Sequence, residues 1–334
     1  MATLIWRALA SHWALAQRER RMTKLFFVTD VHGSERCWKK LVNAGKFYGV
    51  DLMVLGGDMT GKGVITLVDH GDGVYKADFM GRNWSVKSTE EIEELERYIR
   101  TNGFYPCRVG QNQLKEMQGS PEYAAKMFEN CVVETLKSWL EYADQKLEGT
   151  DLYIYVAPGN DDEFAIDPLF ERSKRVVNSE GRVIDMDGEH EMLSTGYSNP
   201  TPWKTPREES EENLKARIEK MIPIIKNVPA AVFAIHVPPY GSGLDEAPVL
   251  DENLIPQQAG MSRAPVGSTA VHELITKYQP LLGLHGHIHE SKGAQKLGRT
   301  LCVNPGSEYA DGTLLGYVIE IQKGKVRTYF PTSG

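Results

Sequence analysis

Five short stretches carry side chains able to hold divalent cations: "DVHG" (Asp30, His32), "GGDMTGKG" (Asp58), "GNDD" (Asn160, Asp161, Asp162), "HVPP" (His236) and "HGHIH" (His285, His287, His289). Each offers a carboxylate, an amide oxygen or an imidazole. Imidazole mixed with oxygen suits Mn, Fe, Zn or Ni better than Mg or Ca. Taken singly, a D-x-H or a lone strand-end histidine is more often a hydrogen-bonded structural residue. Five fragments that each follow an apolar run are harder to explain that way.

Those runs are the elements that must position the chemistry. Short, partly β-branched apolar stretches lie at 24–29, 51–55, 152–156, 231–235 and 281–284, and read as strands covered on both faces. Helical patterns lie between them. Ser34 can cap a helix that turns Trp38, Leu41 and Val42 inward. Ser88 with Glu91 and Thr205 with Glu208 have capping-box spacing, and Pro121 and Pro206 suit a first helical turn. Alternating strand and helix define an α/β core, whose ligands bind beyond the carboxyl ends of the strands. Two stretches exceed an ordinary crossover. Residues 63–150 read as an inserted hairpin-plus-helices subdomain, and residues 238–267, rich in Gly, Pro, Ser and acids, as a long loop of the kind that carries function.

The order D-x-H, G-G-D, G-N-x-D, H, G-H-x-H resembles the calcineurin-like metallophosphoesterase family from about Lys24 to the Asn304-Pro305-Gly306-Ser307 stretch, leaving the leader and the insertion unmatched. Within it, "YSNPTPW" (Tyr197 to Trp203) and "HGHIHES" are similar to the predicted phosphoesterases related to the bacterial cyclic-AMP phosphodiesterase. The resemblance implies a four-layer α-β-β-α sandwich with two facing mixed sheets and a dinuclear metal site at the strand ends. It implies that Asp30, His32 and His289 hold one cation, that Asn160, His236 and His287 hold the other, and that Asp58 bridges them. The cations would be Mn²⁺ or Fe²⁺, with Zn²⁺ or Ni²⁺ as alternatives. A metal-bridging hydroxide would attack phosphorus in line. His285 falls before the family's glycine and is expected to be structural.

One position departs from the family. Most hydrolytic relatives read G-N-H, with a histidine that contacts phosphate and protonates the leaving oxygen; here that position is Asp161. General acid catalysis contributes typically 10²–10⁴-fold. An ionised Asp161 cannot supply it, and a carboxylate in place of an imidazolium offsets much of the attraction that two dications exert on a phosphate. Asp161 can remain protonated, recruit another cation, or mark an enzyme for phosphodiesters or activated esters; the last is the reading adopted. Asp161 and Asp162 are therefore the candidate catalytic residues. Asn160, Asp161, Tyr240 and Arg263 are the candidate contacts to substrate, with packing and a surface ion pair as the plainer roles of Tyr240 and Arg263. A phosphomonoesterase, or a metal-binding scaffold with little activity, is the alternative. A full set of seven ligands argues against the scaffold.

Composition narrows the partners. With 334 residues, 41% hydrophobic and 25% charged, the chain can bury a large core. A net charge of −7 gives no general attraction to nucleic acid or acidic lipid. Nucleic acid is not the expected partner; the resemblance implies a small phosphate ester. The four cysteines, Cys37, Cys107, Cys131 and Cys302, have no C-x-x-C spacing, which fits a reducing cytoplasm. No apolar run approaches the roughly 18 residues of a membrane helix. Residues 1–21 read as an extension ahead of a metallophosphoesterase domain at 22–334, with an amphipathic targeting helix as the alternative. Native substrate and oligomeric state are open.

Overall fold

Residues 22–334 are described in the computed structural model; the expected extension at 1–21 lies outside them. Two six-stranded mixed sheets face each other. The first has the order β18 (Lys325–Ser333), β17 (Leu315–Gln322), β1 (Thr23–Val28), β2 (Leu52–Leu55), β7 (Ile154–Val156), β8 (Val176–Asn178). Within it β1, β2, β7 and β8 pair in parallel, and β17 is antiparallel to both neighbours. The second has the order β15 (Gly293–Leu297), β16 (Thr300–Asn304), β14 (Leu282–Leu284), β11 (Val232–Ile235), β10 (Glu191–Thr195), β9 (Arg182–Asp185). Its four central strands are parallel and its two edges antiparallel. All five apolar runs become parallel strands.

The period-2 alternation of these strands builds the layers. In β1, Leu25 and Phe27 point between the sheets and meet Val232, Ala234 and Leu284, whereas Phe26 and Val28 point to the outer helices. In β11, Phe233 and Ile235 point outward to α5 (Glu211–Met221) and α6 (Thr269–Tyr278), through Leu214, Ile218, Val271 and Leu274. The other outer layer is α1 (Glu35–Tyr48) with α4 (Pro121–Lys146). Trp38 stacks on Trp139 with ring centroids 5.2 Å apart, and its Nε1 donates to the Trp139 carbonyl. Each fully buried large apolar side chain contributes roughly 1.5–3 kcal/mol. The four-layer α-β-β-α sandwich is therefore held by three apolar interfaces.

The insertion forms a separate sheet of order β5 (Arg82–Val86), β4 (Tyr75–Phe79), β3 (Val64–Asp69), β6 (Tyr105–Val109). It has its own core, in which α2 (Thr89–Thr101) packs Ile92, Leu95 and Ile99 against Leu67 and Phe79. The Ser88–Glu91 capping box opens α2. After α3 (Gln111–Gly119), the long helix α4 leaves this unit and packs on the main sandwich. Thr205 and Glu208 do not open a helix. Glu208 accepts from the Thr205 amide and hydroxyl within a loop, and α5 begins after Ser210. The 238–267 stretch is not entirely loop: β12 (Glu246–Pro248) and β13 (Arg263–Pro265) pair as a short ribbon.

Candidate metal centre

Five parallel strands, β1, β2, β7, β11 and β14, end on the same side and deliver Asp30 and His32, Asp58, Asn160, His236, and His287 and His289. Four of these residues turn the chain in the left-handed region: Asp30 (φ 53), His32 (φ 38), Asp58 (φ 48) and His287 (φ 67). Left-handed backbone costs roughly 1–2 kcal/mol per non-glycine residue. Hydrogen bonds between the loops hold it. Asp30 N donates to the Gly57 carbonyl, His32 N to the Asp58 carbonyl, and His287 N to Asp30 Oδ2 at 3.0 Å. Gly57 (φ 137) lies so close under His236 that a Cβ would collide with the imidazole.

The side chains gather in two groups. Asp30, His32 and His289 place one ligand atom each within 4.8 Å of one another, and Asp58, His236 and His287 do the same. Between the groups, Asp58 Oδ2 lies 3.6 Å from His32 Nε2 and 3.4 Å from His236 Nε2. His32 Nε2 and His289 Nε2 face each other at 3.0 Å, and His289 Nε2 is 3.2 Å from Asp30 Oδ1. Two nitrogens bound to one cation at the usual ~2.0–2.1 Å stand about 2.9–3.4 Å apart. Further atoms fit a cation better than a hydrogen bond. Asn160 Oδ1 and His236 Nε2 are buried without a hydrogen-bond partner among the described residues. The other end of each side chain is fixed: Asn160 Nδ2 donates to Thr205 Oγ1 at 2.9 Å, and His236 Nδ1 donates to the Gly56 carbonyl at 2.9 Å. That arrangement turns the free oxygen and the free nitrogen to the site.

Electrostatics divide the histidines. Burial pushes His32 down to about 3 and His287 down to about 4, so both are neutral with lone pairs available. Burial also opposes protonation of His236, but the Asp58 and Asp30 charges outweigh it and push it up to about 9. His289 is raised in the same way by its contact with Asp30, against burial. Against burial, the same imidazoles hold Asp30 and Asp58 well below the usual carboxylate range. The proton on His236 thus offsets part of the charge of the two carboxylates, and a dication entering the site would displace it.

The remaining candidates separate. Asp161 sits at the rim of the groups, with Oδ2 3.8 Å from His32 Nδ1, and its amide donates to Asp58 Oδ1. Burial, with the Asp58 charge adding to it, pushes Asp161 up to about 6. Asp162 is turned instead into the backbone of the two loops. It is fully buried and accepts from Gly159 N, Met59 N, Thr60 N and Thr60 Oγ1, tying the Asp58 loop to the Asn160 loop. Tyr240 is exposed in a groove with Thr269, His272 and Lys277, none of them a site residue. Arg263 is exposed on the β12–β13 ribbon, where it donates to the Glu246 carbonyl. Neither has a described contact with the groups, so the structure does not support their role in binding substrate. His285 is buried within the second sheet, with Nδ1 on the Ile235 carbonyl.

Three residues at the site escaped the sequence reading. Lys62 Nζ lies 3.0 Å from Asp161 Oδ2, the Tyr309 ring packs 4.7 Å from His32, and Arg207 is buried beneath the Asn160 loop, bonding the Asp162 and Glu163 carbonyls. Lys62 had a visible signal: it lies in the same glycine-rich "GGDMTGKG" as Asp58.

Residues 23–291 match the family model of the calcineurin-like phosphoesterases, and the chain belongs to that family. It is accordingly a metallophosphoesterase, a hydrolase of a family that works with two metal ions. A curated relative, the uncharacterized protein MJ1162 of Methanocaldococcus jannaschii, is 28% identical over 176 residues, which span 52% of this chain and 70% of that protein. One crystal structure aligns with 92% of this chain and 98% of its own at TM-score 0.55 and 15% identity. The protein TT1561 of Thermus thermophilus aligns with 94% of this chain and 99% of its own at TM-score 0.50 and 12% identity. Both are similar in fold.

Proposed function

We propose that the chain hydrolyses phosphodiesters, or phosphate esters with a good leaving group, using two divalent cations such as Mn²⁺ or Fe²⁺. Asp30, His32 and His289 would hold one, Asn160, His236 and His287 the other, and Asp58 both. The observation that carries this reading is the place of Asp58 Oδ2, within 3.6 Å of an imidazole nitrogen from each group. When bound, the cations supply Lewis acidity toward phosphoryl oxygens and lower the pKa of water. The chain's own contribution is position. Buried carboxylates and neutral imidazoles converge from five strand ends, and Thr205, Arg207 and Asp162 keep the Asn160 and Asp58 loops in register.

The preference for diesters and activated esters rests on the proton. With its pKa near 6, Asp161 is mostly ionised at pH 7 and has little to give a departing alkoxide. The second argument raised by the sequence, repulsion of dianionic phosphate by Asp161, does not hold, because Lys62 at 3.0 Å neutralises that charge. Leaving-group quality, more than substrate charge, is therefore the expected basis of selection. The reading carries with it a small phosphate ester as substrate and a reducing cytoplasm as its compartment. Comparing bis-p-nitrophenyl phosphate with p-nitrophenyl phosphate in Mn²⁺ tests it. Faster diester turnover is expected; a clear monoester preference would overturn the reading.

A further inference from the structure

The residues gathered at the strand ends are carboxylates, an amide and imidazoles, with one exception at the rim. Lys62 Nζ lies 3.0 Å from Asp161 Oδ2, and that oxygen is 3.8 Å from His32 Nδ1. Asp161, His32 and Asp58 offer atoms within 4.8 Å of one another, so the ammonium stands one carboxylate away from both groups.

The backbone leading to Lys62 is anchored on three sides. Met59 N and Thr60 N donate to Asp162, and Gly61 N donates to the hydroxyl of buried Tyr105 on β6 at 2.7 Å. At Gly61 a side chain would collide with the Gly103 carbonyl of the insertion. Lys62 is the next residue, and Gly63 then enters β3. The inserted sheet therefore decides where this lysine stands. Its side chain remains 45% exposed while that of Asp161 is 19% exposed. The ammonium carries three N–H donors, so it can add a phosphate oxygen from its open side while keeping its carboxylate partner.

We propose that Lys62, set in place by Asp161, is the residue that grips the phosphate of the ester outside the paired groups. Asp161 is then a positioning residue: it keeps the ammonium directed over the site before substrate arrives. The insertion, through Tyr105 and Gly103, fixes the loop that carries Lys62. This inference rests on the phosphoesterase reading and names a determinant of its substrate binding.

The test uses the full chain loaded with Mn²⁺ and measures binding of inorganic phosphate by calorimetry, Mn²⁺ content, and KM and kcat on bis-p-nitrophenyl phosphate. Lys62→Met should weaken phosphate binding and raise KM by roughly 10- to 100-fold, the range for a hydrogen bond to a charged group, with Mn²⁺ content unchanged. Lys62→Arg should retain most of the affinity, because it keeps the charge. Asp161→Asn should fall between wild type and Lys62→Met, because the lysine stays charged but loses its guide. Phosphate affinity in Lys62→Met equal to that of the wild type would overturn the proposal, as would a Lys62→Arg protein as weak as Lys62→Met. A wild type that binds phosphate through Lys62 and hydrolyses neither nitrophenyl ester would instead refute the phosphoesterase reading alone.

Discussion

Replacing Asp162 by Asn removes one acceptor from a carboxylate that now takes four hydrogen bonds. Oδ2 accepts from Gly159 N at 2.7 Å and Met59 N at 3.0 Å; Oδ1 accepts from Thr60 N at 2.8 Å and Thr60 Oγ1 at 2.6 Å. Burial and the Asp58 charge push the pKa of Asp162 up, yet all four contacts are donated to it, and only the carboxylate accepts them all. The amide presents one oxygen, and its NH₂ must face donors on the other side. Turned toward Thr60, it leaves one backbone N–H orphaned, because the threonine hydroxyl can rotate and accept. Turned the other way, it orphans two. A buried unsatisfied donor costs about 1–3 kcal/mol, and the surviving bonds lose their charge assistance, so we expect about 2–4 kcal/mol in total. Urea unfolding followed by tryptophan fluorescence reads this directly. The same variant should bind Mn²⁺ more weakly, since Asp162 ties the loops of Asp58 and Asn160 together. A loss below about 0.5 kcal/mol, the scale of an indifferent surface change, would refute the anchoring role.

The site predicts a proton linkage. With His236 raised to about 9, Mn²⁺ must displace a proton at neutral pH, so affinity should weaken by about tenfold per unit as pH falls below 9; a flat profile by equilibrium dialysis would count against it. Gly57→Ala should lose bound Mn²⁺ while keeping its far-ultraviolet circular dichroism, because the new methyl strikes His236 and leaves the outer layers untouched. Away from the site, Asp187 is held below the usual carboxylate range: burial opposes ionisation, but the bonds from His190 and Thr23 outweigh it. A depressed carboxylate stabilises the fold above its unfolded value of 3.8 and loses that contribution as pH falls. Asp187→Asn should therefore be less stable than wild type at pH 7, and the gap in urea midpoint should close as pH falls below about 4.

Legibility in the sequence followed sequence distance and pattern. The five central strands were readable because strands covered on both faces are continuous apolar runs, and their ends were marked by residues that do not belong in a sheet. Antiparallel edges such as β9 and β15 were not, because half-exposed short strands look like loops. The adjacent carboxylates of "GNDD" could not be told apart, since a one-residue difference in direction sends Asp161 to the rim and Asp162 into four hydrogen bonds. Lys62 lacked any periodicity, and its meaning depends on Asp161, far along the chain. Thr205 and Glu208 kept one half of a capping box, the bond from the Thr205 amide to the Glu208 carboxylate, without the helix, because the motif is local and the surrounding loop is shaped by Asn160 and Arg207.

The central claim is that one carboxylate, Asp58, joins two groups of ligands into a single two-cation site. The number of Mn²⁺ ions bound per chain at saturation, measured for the wild type and for Asp58→Ala, tests it most directly. Two per chain in the wild type, with both sites weakened together in the variant, is the predicted result. One ion per chain in the wild type, or an Asp58→Ala protein that still binds two with unchanged affinity, would contradict the account.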